Sequence, residues 1–262
     1  MATTLDQILA STRESLARLR PRLAELEHRA GRAPPPPGFA AALRGERVAL
    51  IAEVKRRSPS AGVINRNLDP AARAATYARA GAAAISVLTD GPFFGGSIAD
   101  LEAVVERVPV PVLRKDFILD EVQVLEARAA GAAAVLLIVR ALTPARLGEL
   151  LSCARTVGVE ALVEVHTEPE LETAISAGAG VIGVNSRDLD SFHIDMESAW
   201  RLLETVPTAT VAVAESGMAA VADVQRAAAA GADAVLIGTA LSAVPDPAAA
   251  VKALTEVRRR AR

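Results

Sequence analysis

Four copies of one tripeptide, set almost evenly along the chain, constrain its fold more than any other feature. Ala80-Gly81-Ala82, Ala130-Gly131-Ala132, Ala177-Gly178-Ala179 and Ala230-Gly231-Ala232 place their glycines 50, 47 and 53 residues apart, and each precedes a β-branched run. A glycine there suits the left-handed residue that ends a helix, and small flanking alanines let the next strand pack closely. From residue 48 onward, short Val/Ile/Leu runs alternate with Ala-rich stretches of helical character, the pattern of βα units around a parallel sheet. The apolar runs are eight: 48–54, 83–88, 110–114, 133–139, 160–165, 181–184, 210–214 and 234–237. Their hydrophobicity is continuous rather than alternating, as in strands buried on both faces. Four near-equal quarters of two strands each predict an α/β chain closed as a (β/α)8 TIM barrel; a doubly wound open sheet is the competing arrangement.

A length of 262 residues suits one such barrel. The sequence divides into an N-terminal helical extension, residues 1–45, and a barrel catalytic domain, residues 46–262. Within residues 4–28, Leu5, Ile8, Leu9, Leu16, Leu19, Leu23 and Leu26 recur at roughly helical spacing, which predicts one amphipathic helix. The Pro34–Pro37 run must end it, and a short helix from Phe39 to Leu43 leads into the barrel. With only 3% aromatic residues, Ala, Val, Leu and Ile have to fill the core.

A net charge of -2 and the lack of a basic stripe exclude an electrostatic footprint for nucleic acid, leaving a small molecule as the expected partner. Asp6, Arg13, Glu14 and Arg18 interrupt the first twenty residues and no run of about 18 apolar residues follows. The sequence therefore predicts a soluble, cytoplasmic protein without a membrane contact. Cys153 is the only cysteine, so no intrachain disulfide is expected, and it reads as a small core residue. His28, His166 and His193 are too scattered for a metal site, and no metal is expected. Arg258 to Arg260 read as a solvated helix end.

In a barrel of this kind chemistry belongs at the carboxyl ends of the strands, and there the apolar runs end in charge. The first ends in Glu53-Val54-Lys55, the third in Arg114-Lys115-Asp116, the fifth in Glu164 and the seventh in Glu215-Ser216-Gly217; the sixth adds Asn185 and Arg187. Side chains alternate along a strand, so Glu53 shares a face with Lys55, and Asn185 with Arg187. Three carboxylates and two ammonium groups meeting in one mouth would shift each other's proton affinities, as acid–base chemistry requires. Ion pairs that merely close the barrel end are the bland alternative, but buried charge is costly and stability rarely needs five such groups. The chain has 26 arginines and three lysines, Lys55, Lys115 and Lys252, which singles out the first two for work arginine cannot do. Gly217 after the seventh run, and Gly238-Thr239 after the eighth, set backbone N–H groups where a barrel holds phosphate. Phe94 and Phe117 either wall a flat substrate or cover the core edge.

Ile51-Ala-Glu-Val-Lys-Arg-Arg-Ser-Pro-Ser60, Phe94-Gly-Gly-Ser97, Leu113-Arg-Lys-Asp-Phe117, Leu162-Val-Glu-Val165, Asn185-Ser-Arg-Asp-Leu189 and Glu215-Ser-Gly217, in this order, resemble the indole-3-glycerol phosphate synthase family. The resemblance implies that 1-(2-carboxyphenylamino)-1-deoxyribulose 5-phosphate is closed to indole-3-glycerol phosphate, with loss of carbon dioxide and water, in tryptophan biosynthesis and without a cofactor. It implies Lys115 as general acid, Glu164 as acid or base in the dehydration, Glu53 as support for the lysines and Lys55 as holder of an anionic group. Asn185, Arg187, Glu215 and Ser216 would position carboxylate or sugar hydroxyls, and Ser58 would also touch substrate. Pro59, Phe94, Phe117, Leu136 and Ile237 would wall the aryl ring, and Gly217, Gly238 and Thr239 would contact phosphate. The protein would be a monomer or weak homo-oligomer, with other tryptophan-pathway enzymes as candidate contacts. A lysine Schiff-base aldolase is the enzymatic alternative, and a catalytically inactive barrel that binds phosphometabolites or a partner subunit is the non-enzymatic one.

Overall fold

The structure, a computed structural model, describes residues 4–260. Each of the eight apolar runs is a strand: β1 Ala49–Val54, β2 Ala84–Leu88, β3 Val112–Lys115, β4 Ala134–Ile138, β5 Glu160–Val165, β6 Val181–Asn185, β7 Val211–Glu215 and β8 Ala234–Ile237. Every strand pairs in parallel with its neighbour in sequence, and Ala49–Ala52 of β1 pair with Ala234–Ile237 of β8, which closes the barrel and rules out the open sheet.

The repeat glycines follow the helices Pro70–Arg79, Glu121–Ala129, Glu168–Ser176 and Val221–Ala229, with φ of +107, +83, +78 and +93°. At the first, Gly81 N–H donates to the Ala78 carbonyl and Ala82 N–H to that of Tyr77; the other three repeat this pair of bonds. A side chain with a Cβ resists that left-handed turn, so the tripeptide marks where helix gives way to β2, β4, β6 and β8. Alternation within each strand builds two apolar layers. Leu50, Ala52 and Val54 face the helices with Val87, Leu137 and Val163, whereas Ile51 faces the barrel interior with Leu113, Leu136, Leu162, Val213 and Leu236.

Three expectations change. Residues 4–28 are not one helix: α1 (Leu5–Leu19) gives way to a single 3-10 turn at Arg20–Arg22, and α2 (Leu23–Arg32) continues beyond residue 28. Pro21 lies within that turn, where its missing N–H and its ring interrupt the i to i−4 ladder. The third, sixth and seventh runs extend one residue further than their apolar content, so that Lys115, Asn185 and Glu215 lie within strands. Arg258 to Arg260 are not a helix end, because the last helix stops at Leu254. Arg259 instead pairs with buried Asp233 at 2.5 Å, just before β8.

Before the first strand the chain has covered both barrel ends. Leu5 and Ile8 of α1 reach the mouth at the carboxyl ends of the strands. Leu26 of α2 packs with Leu16 and Val122 along the barrel's flank. At the opposite end the short helix Phe39–Ala42 buries Phe39 completely, and its N–H donates to Glu160 Oε1, on the first residue of β5, at 2.5 Å.

Candidate active site

A cavity of about 480 Å³ opens at the carboxyl ends of the strands, a size typical of small-ligand sites. Its floor is charged. Lys115 Nζ lies 3.7 Å from Glu53, 4.0 Å from Glu164 and 3.6 Å from Glu215, while Lys55 Nζ is 2.7 Å from Glu53 Oε1. The five predicted groups thus converge, because each stands on the inward face of its strand's last turn of pleat. Two glycines make room for them: a Cβ on Gly183 would strike Glu215 Oε1, and one on Gly238 would strike Glu53 Oε1 and crowd Lys55. Gly238 is therefore required by the carboxylate it packs against, independently of any anion. Ser242 pins the end of β1, since its Oγ donates to the Glu53 carbonyl at 3.0 Å and accepts from Lys55 N–H at 3.2 Å.

Burial pushes the Glu53 carboxyl up, but the ammonium groups of Lys55 and Lys115 outweigh it and hold the group below the usual carboxylate range. For Lys115, burial alone would lower the proton affinity; Glu53, Glu215 and Glu164 together carry it above the ordinary lysine value. Glu215 moves opposite to Glu53, raised to about 8 by burial and then by Glu164, with Lys115 offsetting only part of the rise. One face of the cavity therefore offers a firmly held ammonium and the other a carboxyl that holds its proton more tightly than an ordinary glutamate does.

The walls are apolar. Phe94 and Phe117 stand 6.2 Å apart and tilted by 37°, with Pro59, Leu136 and Ile237 also lining the cavity. Phe94 is placed by Asp90, whose carboxylate accepts from Phe93 and Phe94 N–H. Ser58 and Pro59 come from a hairpin after β1, Arg57–Ser58 against Gly62–Val63, and Arg57 ties it to the carbonyls of Pro92 and Phe93. Asn185 Oδ1 accepts from Arg187 N–H at 3.0 Å. Arg187 itself, half-buried, donates to the Phe192 carbonyl at 3.2 Å and has no carboxylate within ion-pair distance among the described residues. Burial draws its guanidinium below the usual value, so an anion entering here would relieve an uncompensated charge. Ser216, Gly217, Gly238 and Thr239 line the same side.

All the candidate residues face this one cavity, and some further ones do too. Leu5, Ile8, Leu189, Phe192 and Met218 also line it. Of these, Phe192 has a φ of +58°, uncommon for a bulky residue and invisible in the sequence. His166, unremarkable as a residue just after the fifth run, has a buried side chain whose Nε2 is 3.5 Å from Glu164 Oε1.

Fold and site together define a (β/α)8-barrel with an acid–base centre at the carboxyl ends of its strands. The profile of the indole-3-glycerol phosphate synthase family matches residues 5–254, and the chain belongs to that family. It is 49% identical over 265 residues to an indole-3-glycerol phosphate synthase of Roseiflexus sp. (strain RS-1), covering 97% of this chain and 98% of that protein. It is 50% identical over 246 residues to one of Parafrankia sp. (strain EAN1pec), covering 93% and 91%. Among solved structures, thiamine phosphate pyrophosphorylase from Pyrococcus furiosus superposes with a TM-score of 0.60 at 16% identity, over 84% of this chain and 96% of that one. The 3-hexulose-6-phosphate synthase of Salmonella typhimurium gives 0.58 at 16%, over 80% and 97%. These two likenesses concern the fold alone.

Proposed function

We infer that the chain is an indole-3-glycerol phosphate synthase, a decarboxylating, ring-closing lyase of tryptophan biosynthesis. It takes 1-(2-carboxyphenylamino)-1-deoxyribulose 5-phosphate to indole-3-glycerol phosphate, carbon dioxide and water. Family membership supports the reaction, and the observation that carries the residue roles is Lys115 Nζ, held within 4.0 Å of three buried carboxylates at the foot of an apolar-walled cavity. In the reading proposed here the aryl ring lies between Phe94, Phe117 and Pro59 with Leu136 and Ile237 behind it. Its carboxylate meets Lys55, and Ser58 touches the substrate beside it. Arg187, Asn185, Ser216 and Glu215 hold the carboxylate or sugar hydroxyls, and Gly217, Gly238 and Thr239 turn backbone N–H groups to the phosphate.

Ring closure needs the ribulose carbonyl polarised and its oxygen protonated as the aryl carbon attacks. Lys115 is the proton donor. Its raised proton affinity means that it yields the proton only as negative charge develops on that oxygen, which places the stabilisation in the transition state. Loss of carbon dioxide restores aromaticity, and Glu164 serves the departure of water and the removal of the last ring proton. Glu53 keeps both lysines charged and in place. No cofactor or metal enters this scheme.

The decisive experiment is formation of indole-3-glycerol phosphate by the purified chain in the presence of EDTA. Product is expected; a protein without turnover would refute the enzyme reading, and turnover abolished only by EDTA would refute the metal-free one. Borohydride reduction with substrate separates the aldolase alternative, and no adduct at Lys55 or Lys115 is expected. Among the described residues no helix is long and apolar enough to cross a membrane, and we place the enzyme in the cytoplasm as a monomer or weak homo-oligomer.

A further inference from the structure

The reaction consumes a proton that the site must import. The substrate's carboxylate leaves as neutral carbon dioxide and the carbonyl oxygen leaves as water, so the charge balances only if one proton enters from solvent in each turnover. Glu164 is 1% exposed and lines the cavity, so a substrate filling that cavity would keep bulk water from reloading it.

Behind Glu164 a line of polar side chains runs from the barrel interior to the surface. Glu164 Oε2 faces Lys115 at 4.0 Å, and its Oε1, turned the other way, is 3.5 Å from His166 Nε2. Both Oε1 and Nε2 are buried and lack a hydrogen-bond partner, a costly arrangement that a small closing movement would convert into a bond. On the far side of the imidazole, Nδ1 lies 3.3 Å from Glu170 Oε2, and that same oxygen accepts from His166 N–H at 2.7 Å. Glu170 is paired with Arg140, which reaches Asp188 at 2.9 Å, and side-chain exposure rises along the line from 2% at Glu164 through 5%, 16% and 26% to 40% at Asp188.

We propose that His166 is a positioning and proton-relay residue, acting through Glu164. The proposal rests on the indole-forming reaction and on Glu164 taking part in it. A proton arriving from solvent at Glu170 passes to His166 Nδ1, and the Nε2 proton passes to Glu164 Oε1. No bond other than these N–H and O–H bonds forms or breaks. The ring regains its first tautomer by proton exchange with solvent between turnovers. Imidazole suits this task because its two nitrogens can accept on one side and donate on the other. An amide of similar reach can only hold Glu164 in place.

His166→Gln separates the two roles. A relay predicts that the first turnover, run on the enzyme already loaded with its protons, keeps the wild-type rate constant. Later turnovers slow by about tenfold or more, and their rate climbs with the concentration of a small buffer acid such as imidazole, while KM is nearly unchanged. A purely structural histidine predicts equal slowing of first and later turnovers with no response to buffer, and that result would overturn the proposal, as would wild-type steady-state turnover. Glu170→Gln interrupts the same path from outside and is expected to reproduce the pattern, which keeps the test intact should His166→Gln not fold. Absence of product with the wild-type chain would refute the enzyme reading instead, so the two failures are distinguishable.

Discussion

Lys115 and Glu215 show how one small volume can raise the proton affinity of a base and of an acid together. The ammonium is stabilised by three carboxylates, so replacing it with Arg preserves the charge and removes a proton that can be given up. Lys115→Arg is expected to lower kcat by about 10²-fold or more with KM changed much less; retained kcat with a raised KM would make Lys115 an electrostatic anchor and move the acid to Lys55. Glu215 is raised to about 8 by burial and Glu164, so the folded state holds its proton more tightly than the unfolded chain does. Its contribution to stability is full below the ordinary carboxylate range and is lost as pH rises through 8. Glu215→Gln cannot ionise, and its melting temperature should fall less between pH 5 and 8 than that of the wild type. Parallel curves for the two proteins would contradict the assignment. The sequence shows that these groups end alternate strands, because charge interrupting an apolar run is visible in one dimension. It does not show that Glu164 outweighs Lys115 in its effect on Glu215, since that depends on barrel radius and on the room left by Gly183.

The leading helices show where element-level reading succeeds and where it stops. Apolar spacing identifies α1 and α2 as helical, and the Pro34–Pro37 run marks their end, but Pro21 is masked by the leucines around it that continue the period. The spacing also says nothing of what the apolar face covers, and Leu5 and Ile8 turn out to line the cavity while Phe39 seals the opposite end. Deleting residues 1–38 removes the first contact and leaves the second. The truncated chain is expected to fold and to keep the barrel's circular dichroism, with KM raised by about tenfold, the equivalent of losing roughly 1.4 kcal/mol of apolar cover. An insoluble or unfolded product would show that Arg128, whose guanidinium donates to the carbonyls of Ala33 and Pro34, makes the extension part of the barrel's own stability. His166 belongs to the same lesson. A lone histidine one residue past a strand carries no pattern, and its meaning comes from Glu170, which lies one helical turn further on and folds back to meet it.

At the scale of the whole molecule, closure is the property that the repeat implies without specifying what secures it. Eight strands of similar length close only if the first and last are held together, and the ladder between β1 and β8 covers four residue pairs. The tail after the last helix reinforces that seam from below. Val48 N–H donates to the Val257 carbonyl and Arg259 N–H to that of Glu46, both at 2.9 Å, binding the tail to the entry of β1. Arg259 also reaches Asp233 at the entry of β8, and the other Asp233 oxygen accepts from Ala212 N–H on β7 at 2.8 Å. One side chain thus ties the tail, β7 and β8 together at the end opposite the catalytic mouth. Asp233 is 2% exposed, so removing the Arg259 guanidinium takes a charged hydrogen bond away from a buried carboxylate. Arg259→Ala is expected to cost about 2 kcal/mol in urea unfolding, within the range for hydrogen bonds to charged groups. Because the lost contact lies at the far end of the barrel, kcat and KM measured below the transition should match the wild type. A change in kcat without a change in stability would mean that the barrel floor and the acid–base centre are coupled, and that closure does more than hold the strands in a ring.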